Sequence, residues 1–109
     1  MPKGQYLGDF EMLVLIALGR LGADAYALTI KQEIEQRAKR PASIGAIHAA
    51  LARLAEKGFV SFRISAPLPV PGGRSRKYAT MTAAGTRALR GSLRSLGRMI
   101  DGLELGVEL

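Results

Sequence analysis

The sequence predicts a mainly α fold with one small β-hairpin (α+β): three helices, the hairpin, then a long closing helix. Three observations carry this. Apolar residues recur at helical spacing in four separate segments, and a single β-branched and aromatic run followed by a Pro/Gly-rich stretch breaks the series. The 109 residues allow one compact domain with at most a short appendage. With 48 % hydrophobic and 23 % charged residues, the chain has the composition of a folded protein rather than a disordered one.

The first helix is expected from Leu7 to Leu21, where Phe10, Leu13, Val14, Ala17, Leu18 and Leu21 fall on one face. Asp9 is its expected cap and Gly22 its stop. A second helix is expected from Ala27 to Lys39, burying Leu28, Ile30, Ile34 and Ala38 and turning Lys31, Gln32, Glu35 and Gln36 to water. Tyr26 is expected to pack between these two helices. Pro41 interrupts, and Ser43 caps a third helix from Ile44 to Lys57 that Gly58 closes.

On the wheel of that third helix Ile44, Ile47, Ala50, Leu51 and Leu54 share one side, while Gly45, Ala46, Ala49, Ala52 and Arg53 share the other. A helix facing only water normally carries Lys and Glu. An outer face of Gly and Ala instead permits close approach to another surface.

The run Phe59-Val-Ser-Phe-Arg-Ile-Ser reads as a strand, and Lys77-Tyr-Ala-Thr-Met as its return, with Tyr78 half in the core. Between them Pro67, Pro69, Pro71, Gly72 and Gly73 forbid a regular element, so the hairpin has a long, basic tip. Thr82 caps a last helix from Ala83 to Leu103. In it Leu89, Leu93, Leu96, Ile100 and Leu103 recur at spacings of four and three. Arg87, Arg90, Arg94 and Arg98 fall within about 80° of one another, nearly opposite that stripe. The stripe suits a second copy of the chain or a fold-back onto its own domain. Gly91, Gly97 and Gly102 weigh against a rigid coiled coil, at about 1 kcal/mol each relative to Ala. The chain thus divides into residues 1–81 and a closing helix with its tail, residues 82–109.

Charge is unevenly placed. From Arg37 to Arg98 there are 13 basic residues against the single acid Glu56, a net of +12, whereas the remainder carries a net of −5. Such a concentration attracts a polyanion. Without Cys there is no disulfide, thiolate metal site or Cys nucleophile, and with one His no metal cluster is expected. No Gly-x-Ser-x-Gly or Walker loop is present; Gly72-Gly-Arg-Ser-Arg-Lys lacks the spacing and the Lys-Ser/Thr ending. Neither an enzyme nor a cofactor is expected. The opening Met1-Pro-Lys-Gly-Gln-Tyr does not read as a signal peptide, and the longest apolar run, Met12 to Leu18, is about a third of a membrane span. A soluble, cytoplasmic protein without a membrane partner is the expectation.

Three helices, a basic hairpin and a long helix is the plan of a winged helix-turn-helix domain, whose third helix enters the DNA major groove. Three stretches then resemble one family. Leu7-Gly-Asp-Phe-Glu-Met-Leu-Val-Leu-Ile-Ala-Leu looks like the opening of the PadR-like transcriptional regulators. Ser43-Ile-Gly-Ala-Ile-His-Ala-Ala-Leu-Ala-Arg-Leu-Ala-Glu-Lys-Gly-Phe-Val is similar to their recognition helix, and Gly72-Gly-Arg-Ser-Arg-Lys-Tyr-Ala-Thr-Met-Thr-Ala-Ala-Gly to their wing and its exit. The resemblance implies a homodimeric repressor on an inverted-repeat operator, dimerised through the last helix, in the short branch with one C-terminal helix. It also admits a small-molecule effector of unknown identity. Two positions depart from the family: His48 replaces a usual Tyr, and Ala79 a common aromatic.

Ser43, Gly45, Ala46 and Ala49 are the candidate groove contacts of the third helix, against simple capping by Ser43. Arg53 suits either a guanine edge or a phosphate. Arg74, Arg76 and Lys77 suit phosphates or the minor groove, against a solvated loop tip. His48 reads as a packed or DNA-edge residue rather than a metal ligand. Leu89, Leu93, Leu96, Ile100 and Leu103 are the dimerisation candidates. Two other functions use the same charge: an architectural DNA- or RNA-binding protein that reads no sequence, and a module docking a strongly acidic protein.

Overall fold

A computed structural model describes residues 6–67 and 69–106; the opening residues 1–5, read above for a leader, lie outside them. The order is α1 (Asp9–Leu21), a single 3-10 turn (Gly22–Asp24), α2 (Ala27–Ala38), α3 (Ile44–Glu56), β1 (Val60–Ile64), β2 (Lys77–Met81) and α4 (Ala83–Ile100). Every element predicted from periodicity is present, and the α+β class with its two-stranded antiparallel hairpin is as expected.

The ends differ by one to three residues, for identifiable reasons; α4 stops at Ile100 rather than Leu103 because Asp101 leaves the helical conformation and Gly102 takes a positive φ, 77°. α1 is capped by Gly8, not Asp9: the Glu11 side chain reaches back to accept the Gly8 N–H at 2.7 Å. α2 stops at Ala38 because Lys39 takes a left-handed conformation, φ 56°. The polar caps are where the sequence placed them. Ser43 Oγ accepts the Ala46 N–H at 3.1 Å and Thr82 Oγ1 the Gly85 N–H at 3.0 Å. Each satisfies one of the backbone donors that a helix start leaves open.

The core joins one face of each of the first three helices to the inner face of the hairpin. Val14, Leu15, Ile30, Ile47 and Leu54 are its largest fully buried side chains. The hairpin pairs Val60 with Met81, Phe62 with Ala79 and Ile64 with Lys77. Ala79 is buried, and its N–H donates to Ala25 O at 2.8 Å, so the chain before α2 lies along the free edge of β2. A larger aromatic side chain at that buried position would need room that Ala79 does not take.

Three residues expected on buried faces are outside the core. Leu28 is 46 % exposed and Ala38 is exposed, because only Ile30 and Ile34 of α2 are buried, one turn apart. Ile44, in the first turn of α3, is 38 % exposed. Tyr26 does not pack between α1 and α2; its ring meets Tyr78 edge-on, centroids 5.5 Å apart. The start of α4 closes the core through Gly85 and Ala88, with Ala84 and Leu89 packed against it.

Candidate nucleic-acid interface

α3 buries Ile47, Ala50, Leu51 and Leu54 and leaves Gly45, Ala46, His48, Ala49, Ala52 and Arg53 exposed. The sequence pattern dictates this: two faces of one helix, one aliphatic and one small. Among the described residues no other part of the chain comes within 4 Å of a Cβ built on Gly45, so that position of the face is uncovered. Ser43 stands at its leading end, its hydroxyl engaged in the cap.

His48 is exposed and looks across a hollow of about 320 Å³ toward the hairpin, where Phe62 and Lys77 stand opposite. Among the described residues no three His, Cys, Asp or Glu side chains gather as a metal site would require.

Sorting the cations by partner separates bracing from available charge. Arg20 and Arg37 both meet Glu33, at 2.9 and 2.8 Å; Lys31 meets Glu35 at 2.7 Å; Arg40 meets Asp9 at 2.9 Å. Lys57 Nζ lies 3.0 Å from Glu11 and Arg53 Nε 3.6 Å from the same carboxylate. Among the described residues no carboxylate stands within ion-pair distance of Arg63, Arg74, Arg76 or Lys77 on the hairpin and its loop. The same holds for Arg87, Arg90, Arg94 and Arg98 on α4. Available positive charge is therefore concentrated on the wing and α4.

Arg53 has a partner within the chain. Its guanidinium is turned toward Glu11 of α1, a buried carboxylate that sequence reading left out. A signal was there: Glu11 precedes Val14, Leu15 and Leu18 by three, four and seven positions, an acid inside the apolar stripe. Buried carboxylates need cationic or N–H partners, and Glu11 has both. Burial alone would raise its pKa. The Gly8 N–H and the Lys57 ammonium more than offset that, and the carboxyl titrates below its ordinary range.

On the wing, Arg74 is exposed at the loop. Arg76 and Lys77 are occupied by rings instead: the Arg76 guanidinium lies 4.4 Å over Tyr26, and Lys77 Nζ 4.0 Å over Phe62. The Tyr78 hydroxyl, ahead of the charges around it, holds Arg76 above its ordinary pKa and so favours its charged form.

On α4, Leu89 is turned onto the chain's own core, whereas Leu93 and Leu96 are 44 and 46 % exposed and Ile100 half-buried; Leu103, expected as the last member of the stripe, lies beyond the end of the helix and is 55 % exposed. Met99, outside the spacing of the stripe, is 80 % exposed. With Leu96 it borders a groove of about 470 Å³ whose other wall is Tyr6, Leu7 and Met12.

Comparison with known proteins decides the family, because the model of the transcriptional regulator PadR-like family matches residues 14–91. The chain belongs to the PadR-like family of transcriptional regulators. Its fold is shared by solved members. A PadR family transcription regulator from Clostridium difficile superposes with TM-score 0.68 at 23 % identity, over 86 % of this chain and 96 % of that one. A PadR family regulator from Eggerthella lenta gives 0.67 at 23 %, over 84 and 77 %. Bacillus subtilis PadR, solved in complex with operator DNA, gives 0.63 at 20 %, over 78 and 46 %. No curated protein matches the chain. No helix among the described residues of this PadR-like regulator is long and apolar enough to cross a membrane.

Proposed function

We propose that this PadR-like regulator binds double-stranded operator DNA as a homodimer and represses transcription from an inverted-repeat site. The observation that carries the proposal is the bare outward face of α3, where Gly45, Ala46 and Ala49 lie exposed beside unpaired wing cations. Small side chains let the helix sit deep in the major groove, with the Ser43 end toward a phosphate. Arg74, Arg76 and Lys77 meet the backbone or minor groove, and His48 stands at the groove edge. The operator complex of Bacillus subtilis PadR, a protein of the same fold, supports this use of the domain.

In this reading residues 1–81 form the DNA-binding unit and residues 82–109 the dimerisation helix and tail. Leu93, Leu96, Ile100 and Leu103 are then covered by the second copy, and Leu89 anchors the helix to its own domain. The protein works in the cytoplasm without a cofactor.

A second reading has a specific observation behind it. On the outward face of α3 only Ser43, His48, Arg53 and Glu56 have side chains able to hydrogen-bond a base edge; Arg53 is shared with Glu11, and Glu56 is an anion at the far end of the helix. A protein binding mainly through phosphates would look the same. Fluorescence anisotropy with a duplex from upstream of the chain's own gene, in excess competitor DNA at about 150 mM salt, separates the two. Binding that survives and saturates at two chains per site supports the operator reading. If competitor abolishes binding to that duplex and to every genomic fragment then selected, the sequence-reading proposal fails.

A further inference from the structure

The hairpin's outer face carries an ordered stack that its sequence does not announce. Register places Arg63 opposite Tyr78 on the same face, and the Arg63 guanidinium lies 4.4 Å over the Tyr78 ring. Tyr78 meets Tyr26 edge-on at 5.5 Å, and Arg76 lies 4.4 Å over Tyr26. Two tyrosines, Tyr78 of β2 and Tyr26 before α2, thus stand between two guanidiniums that come from alternate rungs at the loop end of the hairpin. Arg63 is held by its register in β1, and Arg76 by Ser65, whose N–H donates to Arg76 O at 2.8 Å and whose Oγ accepts the Arg76 N–H at 2.8 Å. Asp24 is the acid near this stack, and it acts on Arg76.

A guanidinium stacked on a ring keeps its planar edge of N–H donors free, already oriented, and loses less freedom when it meets an oxyanion. Arg63 spends one weak contact, to Ala23 O at 3.4 Å, and is otherwise exposed. Lysine 77, on the opposite face over Phe62, belongs to a different surface.

We infer that Arg63 and Arg76 together form a preorganised two-guanidinium site on the outer face of the wing that takes the phosphodiester backbone of duplex DNA. Arg63 thereby becomes a phosphate contact in its own right. The inference rests on the DNA-binding reading above and adds to it a residue and a face of the wing.

The test is a salt titration of the full chain on a fluorescein-labelled 30-base-pair duplex. Each phosphate contact contributes about 0.9 to the slope of log K against log salt. Arg63→Gln is expected to flatten the slope by about that amount per bound chain, Arg76→Gln likewise, and Arg63→Lys, which keeps the charge, to leave the slope near wild type. A wild-type slope in Arg63→Gln overturns the inference, even if its melting temperature falls, because the stack would then serve only to stiffen the hairpin. Failure of the wild type to bind any duplex would instead sink the DNA-binding reading. Should Arg63→Gln not fold, phenylglyoxal labelling of the wild type decides. Protection of Arg63 by saturating duplex is expected, and equal labelling with and without DNA overturns the site.

Discussion

Glu11 shows how one buried side chain links the start of the chain to the end of α3. Its carboxylate, 5 % exposed, accepts from Gly8 at 2.7 Å and Lys57 at 3.0 Å, and Lys57 also donates to Tyr6 O at 2.9 Å. One acid thus caps α1 and ties the end of α3 to it. Glu11→Gln should destabilise the fold by about 1–3 kcal/mol, the loss expected when a buried charged partner is removed; urea unfolding at neutral pH measures it. Because the folded pKa lies below the ordinary 4.5, the ionised form contributes stability that is full above that value. That stability is lost as pH falls through the folded pKa, so the gap between wild type and Glu11→Gln should narrow on acidification. A gap independent of pH would mean that the charge contributes nothing. Arg53 shares the carboxylate, so its substitution should also reduce stability, which a purely base-reading residue would not do.

At the scale of elements, sequence periodicity marked every helix and strand because a segment's buried face depends on neighbours three, four or two positions away. What it left hidden depends on residues far apart in the chain: Glu11 with Lys57, Tyr26 with Tyr78, Arg63 with Ala23. The same divide appears within α4. By propensity alone, any Gly→Ala change in a helix should help by about 1 kcal/mol. At Gly97 nothing lies within 4 Å of an added Cβ, and Gly97→Ala should raise helix content and the thermal midpoint. At Gly85 the Cβ would stand 2.2 Å from Phe59 O and 3.0 Å from Met81 Cγ. Two backbone segments cannot both keep their places, so Gly85→Ala should lower stability by about 2–3 kcal/mol, at the upper end for overpacking. Thermal unfolding of the two variants side by side is the check, and equal shifts would contradict the packing of α4 on the hairpin. The glycines alone could not have revealed this difference, since only one of them meets the strand that precedes it in the fold.

For the whole molecule, the decisive features are two surfaces that the single chain leaves unfinished. One is the bare face of α3 with the unpaired wing cations; the other is the apolar band of Leu93, Leu96 and Met99 on α4, of which Leu96 and Met99 face the Tyr6, Leu7 and Met12 wall. The leucines of the band were legible as a stripe. Met99 and the wall were not, because they join it only when α4 lies along the start of α1. If a second copy covers the band, the two surfaces are coupled: one dimer presents two α3 helices to one duplex, and the second contact forms at high effective concentration. Leu96→Glu with Met99→Glu places two charges in that band without touching a core residue. The variant is expected to keep its helix content and run in light scattering at the 11.7 kDa of one chain, and the wild type, on the dimer proposal, at twice that mass. Its affinity for an operator should fall at least about 100-fold, since each module then binds alone, while its salt slope per chain should stay the same because the wing and α3 are untouched. A double variant that remained dimeric would move the interface elsewhere on the molecule. One that became monomeric yet kept full affinity would show that a single domain suffices to read the site.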